Sequence, residues 1–267
     1  MIIKKIPIIT CCEGTDEITT PEQFATHIPA VFESASKVKS KGIHRCYIIF
    51  YDNPENNDFL KKLEVVFIYH AGSVTTKVFE YKNCLIAISP LGGPAAASLM
   101  EELSVFGIDE FIAIGSAGCL DEKVKDKFVL VEKAIRDEGV SYHYLKPSTY
   151  VASNKELNKE LELYLKEKGF NYLKAITWTN DAYYRETKQK VAMAKEMRAV
   201  AVEMECAAWC AVAKYRGFKF AQLLYFSDLV KQDAWSRIIN QSKGYHSDKR
   251  DVILMIVKDM IETYSKK

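Results

Sequence analysis

Short apolar runs alternate along this chain with longer stretches in which apolar positions recur every three or four residues. The runs Cys46–Tyr51, Cys84–Ser89, Phe111–Ile114, Ala199–Met204 and Phe220–Phe226 have almost no polar interruption, which predicts strands covered on both faces. Val65–Tyr69, Thr76–Tyr81, Lys127–Glu132 and Tyr172–Thr177 predict further strands. The helical spacing covers Pro21 to about Lys41, Ala95–Phe106, Asn154–Lys168, Thr187–Met197, Cys206–Arg216 and Ser247–Tyr264. Gly42, Gly169 and Gly217 stand where three of these helices should stop. Residues 1–20 read as irregular, with turn formers around Glu13–Asp16, and Asp52-Asn53-Pro54 reads as a turn into a new helix.

Strands alternating with helices predict a three-layer α/β/α sandwich around a central mixed, largely parallel twisted sheet. No linker divides the chain, so 1–267 reads as a single domain with an atypical N-terminal extension over 1–44. In such sheets ligands sit beyond the carboxyl ends of strands. That rule selects four segments: 89–94, 115–118, 203–205 and 227–228.

Composition narrows the class. A net charge of +2 gives no footprint for nucleic acid, and no apolar window is long enough to span a membrane. The first nine residues lack the long apolar core of a signal peptide. Seven cysteines, with no Cys/His cluster at metal-ligand spacing, read as reduced thiols of a cytoplasmic protein without a metal site. The adjacent Cys11 and Cys12 are poorly placed to pair with each other.

The four selected segments carry the candidate chemistry. Gly115-Ser116-Ala117-Gly118 reads as a strand-end turn whose backbone N–H groups and hydroxyl could approach an anion or a sugar; taken alone, it is an ordinary glycine-rich turn. Glu203-Met204-Glu205 sets two carboxylates where an apolar strand meets an apolar helix, a costly place unless donors reach them. A ribose 2′,3′-diol offers two such donors; a carboxylate favouring the helix dipole is the structural alternative. Ser227-Asp228 follows a buried strand, where an acid could serve a leaving base or merely cap a turn. In Asn180–Glu186, Tyr183 and Tyr184 could stack on a heterocycle or simply pack.

In this order the segments resemble the nucleoside phosphorylase/nucleosidase superfamily. Gly115–Gly118, Glu203–Glu205 and Ser227-Asp228 match its motifs, Gly92-Gly93-Pro94 is similar to a turn of uridine phosphorylases, and 136–144 and 179–187 are similar to further segments. The resemblance covers roughly 45–265. It implies that Glu205 holds the ribose hydroxyls, Met204 packs under the sugar and Glu203 lines the same site. It implies Tyr183 and Ser227 at the base, Asp228 protonating purine N7 as the glycosidic bond breaks, and Ser116 and Gly92 near the nucleophile. Phosphate would be the co-substrate, with no other cofactor, and a homo-oligomer (a dimer or a trimer of dimers) would complete the site.

The sequence also departs from that pattern. Where phosphorylases of this kind carry Gly-Asp-Pro-x-Arg, this chain has Asp52-Asn53-Pro54-Glu55-Asn56, and a second phosphate-binding arginine is replaced by Ala113. The expectation is cleavage of the N-glycosidic bond of a purine nucleoside by phosphorolysis. Phosphate would then be held by Ser116, backbone amides, Arg45 or His70, the last from a neighbouring subunit. The alternatives are hydrolysis, with Glu55 or Asp58 as base, and a nucleoside binder without turnover. Arg237 reads as a surface arginine.

Overall fold

The computed structural model describes residues 17–51, 54–238 and 247–264. The expected turn at Asp52-Asn53, the turn formers of Glu13–Asp16 and the pair Cys11–Cys12 lie outside the described residues. The chain opens with helices α1 (Pro21–Thr26) and α2 (Pro29–Ser40), then strand β1 (Arg45–Ile49). The expected single helix over 21–41 is therefore two. Pro29 has no N–H to give, and Ile28 before it is extended at φ −119° and ψ 96°. Both helices pack against the rest: Ala25, Ala35 and Val38 lie in the main core.

A three-residue 3₁₀ turn at Pro54–Asn56 replaces the helix expected there. Next come β2 (Glu64–Ala71), β3 (Val74–Tyr81), β4 (Cys84–Ile88), α3 (Gly93–Ser104), β5 (Glu110–Cys119) and β6 (Phe128–Asp137). Short α4 (Ser141–Tyr144) and β7 (Tyr150–Ala152), neither expected, precede α5 (Lys155–Glu167), β8 (Tyr172–Asn180), α6 (Lys188–Glu196) and β9 (Ala199–Glu203). The described chain ends with α7 (Cys206–Arg216), β10 (Lys219–Val230), β11 (Trp235–Arg237) and α8 (Ser247–Tyr264).

The strands form one mixed sheet with helices on both faces. Its centre is parallel: β4, β1, β5 and β10 run side by side, and so do β6, β8 and β9. Antiparallel pairs join these two blocks, β10 to β6 and β5 to β9, so that β5, β10, β6, β8 and β9 close into a ring. Side-chain alternation serves both faces. Along β1, Cys46 and Ile48 enter the core under α2, α3 and α7, while Tyr47 and Ile49 enter the core under α5 and α8.

Two expected boundaries move, and both moves shape the site. Gly115–Gly118 is not a turn: β5 runs through it to Cys119, paired with β10 from Leu224 to Phe226. The glycines are needed for close approach instead. A Cβ on Gly115 would stand 2.3 Å from Cδ2 of Phe50, and one on Gly118 would stand 2.7 Å from a Val230 methyl and 2.8 Å from a Val202 methyl. Likewise β10 does not stop before Ser227. It slips register between Phe226 and Asp228, a bulge, and continues to Val230.

Candidate active site

Where the carboxyl ends of β5, β9 and β10 meet, a cleft of about 830 Å³ opens. Ser116, Tyr183, Glu203, Met204, Glu205, Ser227 and Asp228 all line it. They come from three strands, a helix entrance and the loop after β8, so the ring of strands brings these expected residues together.

The two glutamates of 203–205 divide the labour. Glu203 is buried and accepts from four of the chain's own donors: Thr179 Oγ1 at 2.6 Å, Thr177 Oγ1 at 3.3 Å, and the backbone N–H groups of Glu205 at 2.8 Å and Cys206 at 2.6 Å. Two of these are orphan donors at the start of α7, so Glu203 supplies the cap that Glu205, at the N-cap position, does not. Burial pushes its carboxyl above the usual range, and these hydrogen bonds oppose the push. Both of its oxygens are thus engaged within the protein, and it borders the cleft as a strut for Glu205.

Glu205 is equally buried, at 3% exposure, but less satisfied. Oε1 accepts the Gly92 N–H at 2.6 Å and Oε2 accepts the Met204 N–H at the longer distance of 3.3 Å. Burial, then the neighbouring Glu203 charge, pushes its carboxyl up to about 8. Gly92 adopts φ +90° and ψ 148°, a conformation that favours glycine, and this aims its N–H at Glu205.

Asp228 is held from two sides. The Ser227 hydroxyl donates to Oδ1 at 2.6 Å, and the Trp235 indole N–H donates to Oδ2 at 2.9 Å. The bulge in β10 makes the first contact, and the hairpin to β11 makes the second, with Asp228 opposite Arg237 in register. Tyr183 and Tyr184 stand at the mouth with ring centroids 4.1 Å apart; both are exposed.

Other expected positions fall elsewhere. Arg45 starts β1, at the sheet edge opposite the cleft, where its guanidinium binds Glu110 at 2.6 Å and Glu160 at 2.5 Å. It is a structural ion-pair centre, which removes it from the phosphate candidates. His70 lies exposed near the end of the outer strand β2, with Nδ1 3.2 Å from Thr75 Oγ1, and it does not line the cleft of its own chain. Glu55 pairs with Lys77 at 2.7 Å and Asp58 is exposed near Lys61; neither lines the cleft. Arg237, read as a surface residue, does line it.

Sequence reasoning missed Phe50, Glu186, Lys188 and Trp235, all of which line the cleft. Glu186 is half-buried. Burial, then the charge of Asp228, pushes its carboxyl up to about 7, while the Asn180 side chain and Lys190 pull it down. Its only local signal was an acid following two tyrosines in a polar loop. Trp235 gave no signal, because the strand that carries it is three residues long and exposed.

A mixed sheet with a ring of strands, and acids near the carboxyl ends of β9 and β10 that line a common cleft, define an α/β protein with a candidate site at the strand ends. The chain belongs to the phosphorylase superfamily: the family model matches residues 49–252. An uncharacterized protein of Acanthamoeba polyphaga mimivirus is 28% identical over 87% of this chain and 95% of its own length. A DeoD-type purine nucleoside phosphorylase of Mycoplasma genitalium is 30% identical over 61% of this chain and 71% of its own length. Among solved structures, a futalosine hydrolase mutant of Helicobacter pylori superposes with a TM-score of 0.64 over 83% of this chain and all of that one, at 15% identity, a likeness of fold. The relatives named for an activity include phosphorylases, and the hydrolase shares the fold. Among the described residues no helix is long and apolar enough to cross a membrane.

Proposed function

We propose that this protein cleaves the N-glycosidic bond of a purine nucleoside, with Glu205 on the sugar hydroxyls and Asp228 on the departing base. The observation that carries this is the joint placement of the two carboxyl groups. They come from separate elements, and both line one cleft that also holds Met204 and Tyr183. Bond breaking builds positive charge on the sugar and sends an electron pair to the base. A carboxyl in the plane of a purine meets a ring nitrogen, N7, that accepts a proton. Uracil has no such free ring nitrogen, and this supports the purine reading.

The geometry favours water as the nucleophile. Phosphate needs charge-assisted donors. Among the described residues, the cations lining the cleft are Lys188 at the start of α6 and Lys231 and Arg237 on the β10–β11 hairpin that carries the Trp235 contact to Asp228. Among the described residues, the side built by Phe50, Leu91, Ser116 and Glu205 carries a carboxyl group and no cation. Phosphorolysis is the second reading. It is supported by the purine nucleoside phosphorylase among the relatives, and with it goes the expectation of a homo-oligomer whose neighbouring subunit adds donors such as His70.

The test is base release from inosine, adenosine, uridine and methylthioadenosine, each with and without phosphate. The expected outcome is release from a purine nucleoside at the same rate in phosphate-free buffer. Strict dependence on phosphate would replace hydrolysis by phosphorolysis, and preference for uridine would remove the purine assignment.

A further inference from the structure

Glu205 is held by a backbone N–H on a turn that three other elements close upon. Gly92 donates to Glu205 Oε1 at 2.6 Å, and the next residue, the buried Gly93, opens α3. A Cβ on Gly93 would stand 3.3 Å from a Val140 methyl, 3.4 Å from the Ala208 Cβ and 3.6 Å from Asp181 Oδ1. These neighbours come from the end of the loop after β6, from α7 and from the loop after β8. The other oxygen of Asp181, Oδ2, accepts the Gly139 N–H at 2.8 Å. One carboxylate therefore lies against Gly93 and also binds the segment that brings Val140 onto the same glycine.

The segment that Asp181 grips is stiff. The buried Arg136 donates to Ser141 Oγ at 2.7 Å, to Ser148 Oγ and the carbonyls of Ser141 and Lys146 at 2.8 Å, and to the Leu145 carbonyl at 3.1 Å. Glu138 accepts the Ser141 N–H at 2.9 Å and the Ser141 hydroxyl. A loop bound this way shifts as a unit, so its contact with Asp181 decides where it sits. Asp181 also begins the loop that carries Tyr183, and the Asn180 side chain braces that start through both the N–H and the carbonyl of Ala182. One residue thus joins the base side of the cleft to the sugar side.

We propose that Asp181 is a positioning residue for sugar recognition: it ties the Gly139-Val140 segment to the turn at Gly92-Gly93 and so keeps the Gly92 N–H on Glu205. This rests on the nucleoside-cleaving reading of the cleft, in which Glu205 holds the sugar hydroxyls. Asp181 does not itself line the cleft, so its effect reaches the substrate through Glu205. An asparagine at 181 keeps an acceptor oxygen for the Gly139 N–H and drops the charge, and an alanine loses both. The pair of substitutions therefore separates the tether from the electrostatic field of the carboxylate. Asp181 is exposed, so neither substitution opens a cavity in the core.

The experiment measures kcat and KM for base release from adenosine and inosine in the full chain, and the ¹H–¹⁵N resonance of the Gly92 amide. Asp181→Ala should lower kcat/KM roughly 10-fold, chiefly by raising KM. Asp181→Asn should stay within about twofold of wild type. In a Glu205→Gln background Asp181→Ala should cost little more, because the group it positions is already gone. An equal loss in both backgrounds makes Asp181 independent of Glu205 and overturns the inference while leaving the cleavage reading intact. An Asp181→Asn enzyme that falls as far as Asp181→Ala also overturns it. A wild type that releases no base from any of the four nucleosides overturns the cleavage reading itself, and the Gly92 amide then tests the tether without turnover. Its proton, donated to a carboxyl oxygen at 2.6 Å, should resonate far downfield. It should move upfield in Asp181→Ala and in Glu205→Gln and hold its place in Asp181→Asn. A Gly92 resonance that Asp181→Ala leaves unmoved overturns the inference.

Discussion

Glu203 and Glu205 are two residues apart and chemically identical, yet the structure gives them different work. Glu203 accepts four hydrogen bonds and caps α7, while Glu205 accepts one short and one long bond beside the cleft. Substitution should separate them. Glu203→Gln replaces an acceptor oxygen by an amide donor facing donors, and should cost about 1–3 kcal/mol of stability in chemical denaturation. Glu205→Gln should leave the denaturation midpoint near wild type and lower kcat/KM for nucleoside cleavage by about 100-fold or more. A Glu205→Gln enzyme with unchanged kcat/KM would remove Glu205 from the sugar site. The sequence showed that both acids were unusual. It could not show which was satisfied, because two of the four donors on Glu203 come from β8, more than twenty residues away in the chain.

At the scale of elements, the site depends on two strands running further than their apolar runs. β5 continues through Gly115–Gly118 because β10 pairs with it there and because the glycines leave room for Phe50, Val202 and Val230. Gly115→Ala would drive a methyl into the Phe50 ring, which packs edge-on to Trp209 at 6.0 Å on one side and borders the cleft. The expected result is a loss of about 1–3 kcal/mol, measured by thermal unfolding, together with a raised KM as Phe50 is pushed toward the cleft. Combining it with Phe50→Ala should recover part of the stability, and failure to recover any would show that the ring is not the obstacle. The expectation of a turn at 115–118 went wrong for a physical reason: glycine serves φ freedom and close approach equally, and only the neighbour identifies which. The same holds for Pro29, where a helical spacing runs across a residue that cannot continue the helix.

At the scale of the whole molecule, burial raises the carboxyls of several acids, which sets a pH dependence of stability. Glu205 is raised to about 8 by burial and the Glu203 charge, and Glu186 to about 7 by burial and the Asp228 charge. For a raised carboxyl the folded state holds a proton that the unfolded chain releases. Its contribution is complete below the unfolded value of about 4.5 and is lost as pH rises through the folded value. Exposed acids held low by partners, such as Glu64 and Glu122, act in the other direction, but only as pH falls below that same value. The melting temperature should therefore fall between pH 5.5 and pH 8, by about 3 °C or more, and Glu205→Gln should flatten the fall. A melting temperature that rises over this window would contradict the burial of these acids.

The sequence by itself determined the layered α/β class, most of the strands and helices, and the segments carrying the acids. Period and composition of local segments are enough for these, since an apolar run must be buried wherever it goes. Tertiary structure alone decided that β5 and β10 join β6, β8 and β9 in a ring, and that Glu186 and Trp235 arrive beside Asp228. It also decided that Arg45 is spent on Glu110 and Glu160 at the far end of the sheet. A charge has the same letter in the chain whether it is paired, capped or left facing a cleft. What distinguishes these states is the set of donors and acceptors that folding brings within about 3 Å of it.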